Sequence, residues 1–192
     1  MSLFHSELPF NGKAWVGVLL GGLFFLLSPS NLFGLTGDLT NDPAKVIEKY
    51  LSLDQRGARL EAGTSEVLKP YIAWTEEPAW GQVVVISNYT VTQDVTQWEI
   101  FSYLEAVIPV TFQILGFMQW ETATFLADSR TEELFIRIRA VENRWRIVDP
   151  LFPPHVGRKR LMNFVRQALL NETNEVRIET LQRLKESLER AG

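Results

Sequence analysis

The chain contains no cysteine, which excludes disulfide staples, thiolate metal sites, cysteine nucleophiles and a lipidated cysteine anchor together. Histidine is nearly as scarce, with only His5 and His155, so a multi-histidine metal centre in the body of the chain is excluded. A Ser-His-Asp arrangement could use only His155, and no G-x-S-x-G elbow accompanies it. Glycine never clusters into a phosphate-cradling loop. Basic residues are in no excess either: 19 Lys and Arg against 23 Asp and Glu leave a net charge of −4, so the composition points away from nucleic acid. On these grounds no cofactor and no metal are expected.

Charge is wholly missing from Ala14 to Leu27 (AWVGVLLGGLFFLL), and the uncharged region runs on through Ser28–Leu35 to about the length of a bilayer span. Residues 14–35 are therefore expected to engage a membrane, and residues 1–37 divide between two readings. One is a secretory signal, with Lys13 closing a short polar region and small residues at Ser28 and Ser30; the other is an uncleaved single-pass anchor. Lys13 before the segment and Asp38 and Asp42 after it favour an inside amino terminus. Either way the body is expected outside the cytoplasm, anchored or secreted.

What remains, about 155 residues, is the size of one domain with a sizeable core. Asp42 can cap a helix that Pro43 opens, and Val46, Ile47, Tyr50 and Leu51 recur at helical spacing, with Leu53 or Asp54 next on that face. Gly57 or Gly63 is expected to end it. A second short helix is expected around 64–74, with Pro70 near a boundary or kink. Gln82–Val91 reads as a strand, as does Ala106–Phe117, where Ile108, Val110, Phe112 and Ile114 alternate on one side. Asp94–Leu104 suggests a turn plus a short strand, and Gln119–Asp128 a further strand.

The sharpest local pattern is Glu133–Asp149, two alternating runs hinged at Glu142-Asn143. A two-residue turn sets Ala140 opposite Trp145 and Ile138 opposite Ile147, so Leu134, Ile136, Ile138, Trp145 and Ile147 share one face. Arg137, Arg139, Arg144 and Arg146 share the other, and a one-residue slip would exchange the two. Those four guanidinium groups need solvent, cross-strand partners such as Glu99, Glu105, Glu121 or Glu133, or an anionic partner. After Gly157, Leu161, Met162, Val165, Ala168 and Leu169 form a helical stripe. A last helix over 172–190 carries Val176, Leu181, Leu184 and Leu188, and could dock on its own domain, bind a partner or form a homodimer.

Two helices followed by a bent antiparallel sheet, ending in a hairpin with Arg144-Trp145-Arg146-Ile147, resemble the nuclear transport factor 2-like superfamily over about Pro43–Asp149. The resemblance implies an α+β cone fold at 38–156, with 157–192 as a C-terminal helical extension. Members of that superfamily include cofactor-independent isomerases, dehydratases and cyclases as well as non-catalytic binding domains, so the fold does not choose a function. Catalytic members place polar groups inside the cone, where apolar walls raise a carboxyl pKa. Here Asp54 and Tyr71 are the candidate base and hydrogen-bond donor, in a ligand pocket completed by Tyr50 and Trp74. No catalytic motif of the superfamily matches them, and the plainer expectation is a surface pair of Asp54 with Arg56 or Arg59 at the helix end, with Tyr50 and Tyr71 as core edge residues. His155, on the rigid exit set by Pro153-Pro154, more often makes a loop contact than a proton transfer. The expected function is a membrane-targeted, non-catalytic binding domain for a small apolar ligand or a protein partner. An isomerase, dehydratase or cyclase acting on a hydrophobic substrate is the alternative.

Overall fold

A computed structural model describes residues 42–61 and 63–191 of the chain. The membrane segment expected at 14–35 lies outside the described residues; among these, no helix is long and apolar enough to cross a membrane.

The first element is helix α1 (Pro43–Gln55), where Asp42 accepts the Ala44 N–H at 2.9 Å and Pro43 occupies the first turn. These two residues settle the start of the helix as the sequence suggests. Gly57, at φ +83°, turns the chain away after Arg56; a side chain there would adopt the left-handed region at a cost. The next element is a 3-10 helix, Thr64–Tyr71, with Pro70 inside it. The short helix expected around 64–74 is thus present but ends at Tyr71 and is of the tighter 3-10 kind, with Pro70, which lacks an N–H, one residue from its end.

The sheet comprises β1 (Gln82–Val91), β2 (Glu99–Ser102), β3 (Glu105–Gln119), β4 (Thr124–Val141), β5 (Arg144–Asp149) and β6 (His155–Gly157). Its order is β5-β4-β3-β1-β6, with β2 also on β3. All neighbours are antiparallel except β1 and β6. The result is an α+β protein built on a strongly curled, mostly antiparallel half-barrel sheet. β4 is one continuous strand of 18 residues, not a strand near 119–128 followed by a separate hairpin arm. Its middle, Ala127–Glu133, is exposed except at half-buried Glu132 and mostly polar, so it carries no alternating hydrophobic pattern, yet its backbone pairs with β3 throughout this stretch apart from a bulge at Gly116.

The β4–β5 hairpin has the expected register: Ala140 faces Trp145 and Ile138 faces Ile147. Glu142 and Asn143 both have positive φ, +50° and +64°, the geometry that lets a two-residue turn follow the twist of the strands.

Alternate residues of β1 feed two cores. Val84 and Ile86 join the α1 side with Ile47, Tyr50, Leu51, Ile108, Phe112, Ile136, Ile138 and Ile147. Val83 and Val85 join Val156, Leu161, Val165, Leu184 and Leu188 on the opposite face, beneath α2 (Arg158–Asn171) and α3 (Glu175–Arg190). The C-terminal helices therefore cover one part of the sheet's second face and share its core. In α3 the stripe is Leu184 and Leu188 with Leu181 partly buried, whereas Val176 is 72% exposed. The helix also begins later than expected, because Asn174 caps it and the Glu172 carboxylate accepts the N–H groups of Thr173 and Asn174.

Candidate functional site

Asp54 is fully buried at the last turn of α1. Its Oδ1 accepts Arg59 Nε at 2.8 Å, and its Oδ2 accepts Arg59 Nη2 at 2.5 Å and the His155 backbone N–H at 2.8 Å. Arg59 has further donors: Nη1 bonds Glu77 Oε1 and the Phe152 carbonyl, and Nη2 the Pro153 carbonyl. The Arg59 side chain is only 4% exposed. The expectation of a surface pair at the helix end is thereby corrected to a buried, two-pronged one, with every N–H of a planar guanidinium spent. Burial would lower the Arg59 pKa, but the charge of Asp54 and its hydrogen bonds outweigh this and raise it. The pair ties α1 to the segment that leads into β6.

Aromatic rings close over the clamp. Phe152 meets Tyr50 edge-on at 5.8 Å, and Arg59 lies 5.4 Å from the centre of the Phe152 ring. His155, on the other side, lies 4.3 Å from Phe112 and 5.4 Å from Phe152 between ring centres. Its Nδ1 is 2.8 Å from the Pro153 carbonyl, so Nδ1 carries the proton and the ring is held as a loop contact. Burial lowers the His155 pKa, against the opposing charge of Asp54. Tyr50 is pushed up, also by burial, with Arg59 acting against it.

Of the four residues expected to line one pocket, Tyr50 and Asp54 are buried, while Tyr71 and Trp74 pack at the edge of the same core. Tyr50 and Trp74 make an edge-on contact at 6.5 Å. Asp54 makes its hydrogen bonds to Arg59 and His155, none of them to Tyr71. The Trp74 indole N–H is buried without an acceptor. The clefts at Gln55–Asn163, at Arg166–Glu186, at Arg59–Pro154 and at Glu48–Gln93 are lined by none of Tyr50, Asp54, Tyr71 and Trp74. Among the described residues no group of three His, Asp or Glu side chains is arranged to hold a metal.

The four arginines do occupy the outer face of the hairpin, where alternation puts them. Arg139 stands opposite Arg146 on β5 and opposite Glu105 on β3. Glu105, however, turns to Arg137, with Oε1 2.8 Å from Nε in an ion pair whose alignment falls short of a hydrogen bond. Arg146 reaches the Ile72 carbonyl at 3.3 Å and Glu142 at 3.4 Å. Arg144 stands beside them, exposed.

Two neighbours escaped the sequence reading. Phe101 and Phe135 are 52% and 56% exposed on this face, and Arg137 stacks on Phe101 at 4.7 Å. The signal was present at Phe135, an aromatic ring at an outward position of an alternating strand. Phe101 gave none, because β2 pairs irregularly between Ile100 and Ser102. Glu77 was missed as well, since it lies in a loop with no periodicity to place it.

Compared with known proteins, the chain matches no family model, no curated protein and no solved structure.

Proposed function

We propose that the chain is a non-catalytic binding module, brought to the extracytoplasmic side of a membrane by residues 14–35, and that it docks a protein partner on its outer sheet face. The partner it fits presents carboxylates around an apolar centre. The observation that carries this is the exposure of Phe101 and Phe135 on the face that also carries Arg137, stacked on Phe101, and Arg139, which has a like charge directly opposite in Arg146. Exposed apolar surface rimmed by polar groups is what contact sites present, and Arg and aromatic residues are enriched at interface centres. Like charges directly opposite across strands are unfavourable, and an acidic partner relieves that repulsion.

Within the same proposal the fold is a cone of the nuclear transport factor 2-like kind, supported by the order of α1, the 3-10 helix and a curled sheet closed by the β4–β5 hairpin. A protein partner is favoured over a small apolar ligand because Tyr50, Phe152, His155 and Phe112 stack against one another in the α1-side core. The isomerase, dehydratase or cyclase alternative asks Asp54 to act as a base. Its carboxylate is fully buried, held by Arg59 and the His155 N–H, and lines none of the clefts described above, which does not favour that role.

The test is a photoreactive amino acid at position 135 of the full chain in its native host, with a second at Glu179 on exposed α3 as reference. One discrete adduct from 135, absent from 179, lost with Arg139→Glu and weakened by salt, is expected, and the cross-linked peptide should be acidic. Equal labelling from both positions, or an adduct indifferent to Arg139→Glu, overturns the proposal.

A further inference from the structure

Away from the outer face of the hairpin, the end of α1, the middle of β1 and the start of α2 frame an open cleft of about 750 Å³. Its cationic residues are Arg56, Arg158, Lys159 and Arg160, its apolar ones include Ile86 and Leu115, and no carboxylate lines it. Arg160 is already committed, with Nε donating to the Arg56 carbonyl at 3.0 Å and Nη2 to Glu61 at 2.7 Å. That bond fixes the cleft wall and leaves charge elsewhere: no ion pair among the described residues engages Arg56, Arg158 or Lys159. Gly157 brings α2 close against α1, since a Cβ there would lie 3.2 Å from Gln55 Cγ and 3.3 Å from its carbonyl.

Three uncompensated cations converging from two helices on one concave surface raise the local concentration of anions. Leu115 adds a second requirement that a bare ion does not meet, because it is only partly covered by the protein and covering it removes apolar surface from water. We infer that this cleft binds an anionic amphiphile, its phosphate-class head group held by Arg56, Arg158 and Lys159 and its apolar body lying over the partly covered Leu115. The site is separate from the outer sheet face and stands or falls independently of partner docking there. The head group belongs either to a membrane lipid or to a soluble phosphate ester.

Calorimetric titration of the full chain with octyl phosphate, inorganic phosphate and octanol tests the inference. Octyl phosphate should bind about tenfold or more tightly than either of the others. The double variant Arg158→Glu/Lys159→Glu should lose that binding about tenfold, while Phe135→Ala keeps it. Should the double variant fail to fold, Arg56→Gln, whose side chain is exposed, should weaken octyl phosphate roughly threefold. Displacement of octyl phosphate by phosphatidylglycerol bicelles identifies a lipid as the source, and its persistence identifies a soluble ester; either supports the cleft. Binding of inorganic phosphate as tight as that of octyl phosphate, or binding within twofold of wild type in the folded charge variants, overturns it.

Discussion

Asp54 and Arg59 meet through two parallel hydrogen bonds, at 2.8 and 2.5 Å, in a place where neither side chain is more than 4% exposed. Such a pair is a poor source of net stability, because desolvating both ions offsets most of their attraction, but it is expensive to break on one side only. Here the expense is spread over three parts of the chain, since Arg59 also holds the Phe152 and Pro153 carbonyls and Asp54 holds the His155 N–H.

Asp54→Asn and Arg59→Met should therefore each cost about 3–5 kcal/mol, read as the shift in urea midpoint at unchanged slope. The double variant should be far better than the sum of the two, because the second change removes the stranded partner of the first. Additive losses would show that the two side chains act independently, and the clamp would have to be abandoned.

His155 carries the expected pH response. Its pKa is lowered from 6.5, chiefly by burial, with Asp54 and Glu132 pulling it up and Arg59 pushing it down. In the unfolded chain the imidazole takes up a proton near pH 6.5, and in the folded one only at lower pH. The unfolded state thus binds more protons between those two values, and stability, complete above about 6.5, falls as pH drops toward the folded pKa. Urea midpoints measured from pH 8 to 5 should decline as the pH falls below about 6.5, and His155→Phe should flatten the decline. A wild-type curve without slope in that window contradicts a buried neutral imidazole.

How much of this was visible in the residues alone depends on how local each cause is. The Asp42-Pro43 start of α1, β1 at Gln82–Val91 and the Ala140–Trp145 register follow from capping, β-branching and a two-residue turn, all of which act over a few neighbours, and all three stand. β4 was split because Ala127–Glu133 pairs through its backbone while most of its side chains face solvent, so no pattern of hydrophobicity marks it. The Asp54–Arg59 pairing is one of the alternatives legible at five-residue spacing, but its burial is not. The bond from Asp54 to the His155 N–H spans 101 residues, a distance no spacing rule reaches, and it is this closing segment that takes the pair out of water.

Gly116 sits in the bulge of β3 at φ +153°, and a Cβ there would come within 2.2 Å of the Leu126 carbonyl oxygen on β4. That neighbour is backbone and cannot swing aside. Gly116→Ala should cost at least ~1–3 kcal/mol in strain alone, more than the same change at Gly81, where a Cβ meets open space. Thermal midpoints of the two variants, measured side by side, check this; equal midpoints would remove the need for glycine at the bulge.

Phe135 and Ile136 are neighbours in β4 that point to opposite faces, one 56% exposed and the other 0%. The adjacency turns the two faces of the sheet into an experiment with matched backbone. Ile136→Ala opens a hole among Ile108, Ile138 and Ile147 and should cost about 2–5 kcal/mol, whereas Phe135→Ala removes a larger side chain yet should change stability by no more than ~0.5 kcal/mol. If Phe135 serves a partner, the variant that leaves the fold intact is the one that abolishes docking. A Phe135→Ala loss comparable to that of Ile136→Ala would mean that the ring is covered within its own chain, and an outer face ready for a partner would not exist.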